Sequence, residues 1–212
     1  MADNSQYNSP LKATLTGISN LFKKRDRVGV LSDKDRLDGK RILITGASSG
    51  LGLATAKEMA RLGGEIIMAV RSGIPEKGEE VREFSGSVKV HMIQMDLTDL
   101  NSVDLLVDQI KERFGKLDIV VCNAAVVAKK ARKTKQGLEE MFQVNYLANY
   151  YLLRKLWDSE MINFHDSTPR IVIVNSESHR DAKQFDWDHF GEFRPHSIGK
   201  TVELYGYYKL LL

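Results

Sequence analysis

The chain has 212 residues, 42% hydrophobic and 28% charged, which suits one soluble globular domain with a sizeable core. Its net charge of +3 sits at the start: residues 1–41 carry nine Lys/Arg against five Asp/Glu, and the remainder 22 against 23. A near-neutral body argues against nucleic-acid binding, and the absence of about 18 consecutive apolar residues argues against a spanning helix. The polar start lacks a secretory core and the single Cys122 excludes an internal disulfide, so a cytoplasmic protein is expected.

Residues 1–37 read as an extension. Leu11, Leu15, Ile18 and Phe22 recur at helical spacing ahead of the basic run Lys23-Lys24-Arg25. This is either a short amphipathic helix able to touch an anionic membrane surface, which would make the protein membrane-associated, or a solvated leader. From residue 38 the pattern becomes regular. Arg41–Thr45 is an apolar strand, followed by a Gly-rich turn and a helix over Leu51–Leu62. Glu65–Val70 is a second strand, with a charged helix over about Glu76–Phe84. Val88–Met95 is a third strand. Asn101–Phe114 is a helix with Val103, Leu106, Val107 and Ile110 on one face. Leu117–Cys122 is a fourth strand, Gln136–Ile162 a long helix and Arg170–Asn175 a fifth strand. Strands that are continuously apolar and alternate with helices are buried on both faces. The expected fold is therefore α/β, a doubly wound parallel sheet of the Rossmann-like, three-layer kind.

The turn after the first strand reads Thr45-Gly46-Ala47-Ser48-Ser49-Gly50-Leu51-Gly52. Glycines there let backbone N–H groups come close to a pyrophosphate, and the helix N-terminus favours its charge; Ser48 and Ser49 add hydroxyl donors. The strand–turn–helix context makes this a dinucleotide site rather than a bare turn. Further along stand Asp96-Leu97 at the end of the third strand, Cys122-Asn123-Ala124-Ala125 after the fourth, Asn145 in the long helix, Ser176 after the fifth strand, and Tyr205 with Lys209 four residues on. With these segments in this order, the chain resembles the short-chain dehydrogenase/reductase family over about residues 38–212. Its pattern is nearest to the retinol dehydrogenase and protochlorophyllide reductase-like branches.

The resemblance implies an oxidoreductase moving hydride between a nicotinamide and a small-molecule carbonyl or alcohol substrate, and a homodimer for the full-length protein. It assigns Gly46, Ser48, Ser49, Gly50, Leu51, Gly52, Asp96, Leu97, Asn123, Ala124 and Ala125 to cofactor binding, with Ala125 where the family usually has Gly. Asn145 matches the family's active-site Asn, which holds a proton-relaying water, and Ser176 matches the Ser that holds the substrate oxygen. Tyr205 and Lys209, at i and i+4, share a helix face. A phenol of pKa about 10 is a poor proton-transfer group near neutrality, and an adjacent ammonium improves it. The resemblance also has Lys209 bonding the nicotinamide ribose. NADP is favoured over NAD, because the second strand ends in Val70-Arg71 where an NAD enzyme would carry an acid, and a guanidinium suits a 2′-phosphate.

Between Ser176 and Tyr205 lies a long segment, Asp181–Val202, carrying Phe185, Trp187, Phe190, Phe193 and His196. It either lines a site for a large apolar, retinoid-like substrate or pins the segment to the domain. The basic stretch Lys129–Lys135 reads as a solvated loop, with attraction of an anionic substrate as the alternative. No His/Cys/Asp/Glu set has metal-ligand spacing, so no metal is expected. The last residue, Leu212, falls three past Lys209, so the chain is expected to be a C-terminally truncated portion of a longer one. An inactive nucleotide-binding protein or fragment is the alternative to an active enzyme.

Overall fold

Runs of Ile, Leu and Val, each bounded by Gly or a polar turn, form five parallel strands: β1 (Arg41–Thr45), β2 (Glu65–Val70), β3 (Val90–Gln94), β4 (Ile119–Cys122) and β5 (Arg170–Ile173). The computed structural model describes residues 29, 31, 32, 34–165, 168–181, 187–196 and 198–211. Leu11, Leu15, Ile18, Phe22, the Lys23-Lys24-Arg25 run and Phe185 lie outside the described residues. The chain divides into Met1–Lys34 and Asp35–Leu212, and the fold described is that of the second unit.

The strand order is β3-β2-β1-β4-β5. The chain winds outward from β1 to β3, then returns to place β4 on the other side of β1. Ligands bind at such a reversal, beyond the carboxyl ends of the strands. The helices are α1 (Gly50–Arg61), α2 (Glu76–Ser85), α3 (Leu100–Arg113), α4 (Glu140–Phe142), α5 (Ala148–Asp158) and α6 (Ile198–Leu210).

Successive residues of the inner strands feed opposite sides of the sheet. Leu43, Ile67, Ile93 and Val120 join Val103, Leu106, Val107 and Ile110 of α3 and Leu152 and Leu156 of α5. Ile42, Ile44, Ile66, Met68 and Val121 pack with Ala56 and Ala60 of α1 and Val81 of α2. The expected face of α3 is thus the buried one, and the Asp99 side chain caps this helix by accepting from the Asn101 N–H. β5 departs from the pattern. It pairs with β4, and Ile171, Val172 and Ile173 are 36%, 44% and 36% exposed.

The long helix expected over Gln136–Ile162 is shorter and composite. Gly137, at φ 79°, makes a turn closed by Thr134 and Leu138, so the helix begins only at Glu140. The buried Glu139 carboxylate caps it by accepting from the Phe142 N–H at 2.8 Å. The backbone then passes through a π-helical turn, Gln143–Leu147, before α5.

Asp118 ties the base of the sheet together, accepting from the Arg41 N–H and the Lys40 ammonium, each at 2.9 Å. Burial alone would raise this carboxyl, but those donors outweigh it and hold it below the usual aspartate range. A depressed carboxyl stabilises the fold above its unfolded pKa and loses that contribution as pH falls through the folded one. In acid unfolding monitored by circular dichroism, Asp118→Asn is therefore expected to flatten the decline of stability below about pH 4 relative to wild type.

Candidate active site

A cleft of about 300 Å³ opens at the carboxyl ends of β1 to β4, at the point where the strand order reverses. Its wall is drawn from the loop after β1 (Gly46, Ser48, Ser49, Leu51, Gly52), the end of β2 (Ala69, Arg71, Ser72), the loop after β3 (Asp96, Leu97, Thr98), the loop after β4 (Asn123, Ala124, Ala125, Val126) and Val144. The cofactor residues expected from sequence thus meet in one place, apart from Gly50, Tyr205 and Lys209. Gly50 begins α1 at φ 52°, in open space.

Two glycines make this geometry possible. A Cβ on Gly46, at φ 66°, would sit 2.8 Å from the Ala124 Cα, and one on Gly52 would sit 2.4 Å from both the Asn123 Nδ2 and the Gly46 carbonyl oxygen. The loops after β1 and β4 therefore touch backbone to backbone. Thr45 locks them. Its buried hydroxyl accepts from the Asn123 and Ala124 N–H groups at 3.0 Å each, while the Asn123 amide donates back to the carbonyls of Thr45 at 2.9 Å and Gly46 at 3.2 Å. Thr45 was not among the expected site residues. Its signal was available: a Thr closing an otherwise apolar strand.

Ser49 caps α1 without a side-chain bond to it, and the first turn of α1 holds no acid. Leu51 and Gly52 of its first turn line the cleft, and among the described residues no side-chain cap or first-turn acid neutralises the initial N–H groups of this 12-residue helix. Arg71 stands exposed at the lip. The Asp96 carboxylate turns into its own loop, accepting from the Thr98 N–H at 2.9 Å and hydroxyl at 2.8 Å.

The π turn faces the cleft from behind. Gln143, Val144 and Asn145 are all buried. The Asn145 side chain pairs with the Val126 backbone, accepting from its N–H at 2.8 Å and donating to its carbonyl at 2.9 Å. Its amide is thereby used to hold the loop after β4, and its backbone carbonyl accepts from the Asn149 amide at 3.3 Å.

Lys209 is buried at the adjoining end of the sheet. Its Nζ donates to the Val174 carbonyl at 2.8 Å, just past β5, and lies near the Cys122 thiol that ends β4. Burial lowers the pKa of the ammonium and pushes the thiol up to about 12, so Cys122 stays protonated and uncharged. Ser176 sits in a tight turn in which its hydroxyl meets the Ser178 hydroxyl at 3.2 Å and accepts from the Ser178 N–H at 3.3 Å. The helix α6 lies directly on this turn, because a Cβ on Gly206 would come 2.1 Å from the Ser178 carbonyl oxygen. Among the described residues no hydrogen bond joins Tyr205 to Ser176 or Lys209; Tyr205 is half-buried against the cluster of Ala128, Met141, Phe142 and Tyr208.

The described aromatic residues Trp187, Phe190 and Phe193 have partners of their own. Phe190 stacks edge-on against Phe142 at 5.0 Å, Trp187 lies 5.5 Å from Phe190, and Phe193 lies beneath the Lys133 ammonium. A side chain at Gly191 would strike the Phe142 ring. These contacts favour the pinning role for the segment. The basic stretch is likewise tethered, Arg132 to Glu140 and Lys135 to Asp99.

Comparison with known proteins matches residues 40–185 to the family model described as short chain dehydrogenase. The chain is 40% identical over 153 residues to the WW domain-containing oxidoreductase of Gallus gallus, covering 71% of this chain and 36% of that one. It is 34% identical over 191 residues to retinol dehydrogenase 13 of Homo sapiens, covering 87% and 56%. The chain thus spans between about a third and just over half of the length of these curated relatives. Among solved structures, the NADPH-dependent 3-quinuclidinone reductase of Rhodotorula rubra superposes with a TM-score of 0.64 at 22% identity, over 90% of this chain and 67% of that one.

The threonine lock has a measurable cost. Thr45→Val keeps the shape but strips the Ala124 N–H of its acceptor. Chemical denaturation is expected to show a loss of about 1–3 kcal/mol, with Thr45→Ser much closer to wild type.

Proposed function

The chain belongs to the short-chain dehydrogenase family, and from that premise we propose an NADP(H)-dependent oxidoreductase that transfers hydride between nicotinamide and a carbonyl or alcohol carbon. The observation that carries the reading is a juxtaposition. An uncapped helix N-terminus opens into a cleft over four strand ends, and a buried lysine occupies the next strand ends along. The first is a site for a pyrophosphate and the second a site for proton chemistry.

The residues present fit a dinucleotide. Gly46 and Gly52 clear the backbone approach, the free N–H groups of α1 suit the pyrophosphate, and Arg71 at the lip suits a 2′-phosphate. Asp96 and Leu97 serve the adenine end, and Asn123 to Ala125 the nicotinamide end. When bound, the nicotinamide supplies or accepts the hydride. The chain's own residues handle the proton. In the reductive direction the Tyr205 hydroxyl gives its proton to the substrate oxygen, which the Ser176 hydroxyl also holds. Lys209, its pKa already lowered by burial, stabilises the phenolate left behind and returns a proton from solvent through a water held at Asn145, the role the family resemblance gives that residue.

The substrate is proposed as a small-molecule carbonyl or alcohol. An apolar, retinoid-like one agrees with the name of the human relative, while Phe190 and Trp187 contact the protein's own rings and remain partly exposed.

Two measurements test the reading. Arg71→Ala is expected to weaken NADPH binding about tenfold to a hundredfold while leaving NADH binding nearly unchanged, as read by calorimetry; equal losses would overturn the NADP assignment. Tyr205→Phe is expected to lower kcat for NADPH-driven reduction across a panel of aldehydes, ketones and retinoids by about 100-fold or more, with NADPH affinity preserved. Unchanged turnover would overturn the mechanism.

A further inference from the structure

We propose that Gln143 is a positioning residue for the adenosine end of the cofactor, gripping the loop after β3 as Asn145 grips the loop after β4. The inference rests on the cofactor reading above and adds to it a residue and a role that the sequence motifs do not contain.

Three consecutive residues of a regular α-helix point about 100° apart and cannot all serve one side. In the π turn Gln143, Val144 and Asn145 are nevertheless 0%, 4% and 0% exposed, and each meets a different part of the cleft. Val144 forms part of the cleft wall. Asn145 takes the Val126 backbone. Gln143 reaches the other way: its Nε2 donates to the Leu97 carbonyl at 3.0 Å and to the Gln136 Oε1 at 2.9 Å. That Gln136 oxygen also accepts from the Leu100 N–H at 3.4 Å, and the Gln136 amide nitrogen reaches Asp99 at 3.5 Å. One buried amide thereby ties the turn to the whole stretch from Leu97 to Leu100.

The orientation of that amide is not arbitrary. Its nitrogen faces two carbonyl oxygens, so a flipped amide would set oxygen against oxygen. Its own Oε1 is buried and has no hydrogen-bond partner among the described residues, which is costly. A leucine would avoid that cost, so the residue's contribution lies in what its nitrogen holds. The held object is the cleft wall itself: Asp96, Leu97 and Thr98 line it, and the Asp96 carboxylate is fixed within the loop by Thr98. The Asp96 N–H donates to the Ser102 hydroxyl of α3 at 2.9 Å, which fixes the start of the loop, while the links from Lys135 to the Thr98 carbonyl and to Asp99 lie at the exposed surface, where water competes with them.

The test uses adenosine 2′,5′-bisphosphate, which probes the adenosine end without the nicotinamide. Gln143→Leu is expected to raise its dissociation constant about tenfold. Gln136→Ala, at an exposed position that leaves the core intact, is expected to raise it less. Leu152→Ala, which weakens the neighbouring helix α5 from its core side, lowers the Tm and is expected to leave the affinity unchanged. Wild-type affinity in Gln143→Leu, or an equal loss in Leu152→Ala, would overturn the proposal. Amide hydrogen exchange in ligand-free protein separates the clamp from the cofactor reading. Exchange at Leu97 to Leu100 should quicken in Gln143→Leu and not in Leu152→Ala, and unchanged exchange refutes the clamp. Failure of the wild type to bind the bisphosphate overturns the cofactor reading and the positioning role together.

Discussion

The structure depends on the close approach of two loops that leave neighbouring strands in the same direction. β1 and β4 are adjacent in the sheet but separated in sequence by two complete strand–helix units, and the chain must bring Gly46 against Ala124 with almost no space between them. Side-chain-free positions remove the steric obstacle, and one buried hydroxyl supplies the attraction by accepting two backbone N–H groups at once. Without that seam the floor of the cleft would have no defined width, and the N–H groups at the start of α1 would have no fixed target.

The second organising element is the change of helical pitch at Gln143–Leu147. A π turn is rare and is found mostly where function requires it. Here it lets one short segment address the loops on both sides of the cleft, with amides on either flank and an apolar residue between them. The parts that would contact the two ends of a dinucleotide are therefore referenced to the same rigid piece rather than to each other.

Much of this was legible in the amino-acid sequence, because the strands are uniformly apolar, the connections are short and the glycine-rich turn falls between a strand and a helix. The bounds of α2 and α3 and the buried face of α3 follow from periodicity alone. The start of the long helix did not, since Gln136 and Leu138 suit a helix locally and only Gly137 betrays the turn. The contributions of Gln143 and Gly206 were also hidden. Each is defined by a partner far away in sequence — Leu97 and Ser178 — and no local pattern marks a residue whose importance lies in the backbone it meets. The segment after Asp181 shows the opposite case: its aromatic content was plain, but only contacts could decide between lining a cavity and covering Phe142.

β5 joins two of the described features. Among the described residues it pairs with β4, and its apolar side chains are 36–44% exposed. Val174, immediately beyond it, is the acceptor for the Lys209 ammonium. A shift of the backbone at Val174 would therefore withdraw a lone pair from a desolvated cation. The placement of the backbone after β5 and the acid–base state of the lysine four residues beyond Tyr205 are in this way linked.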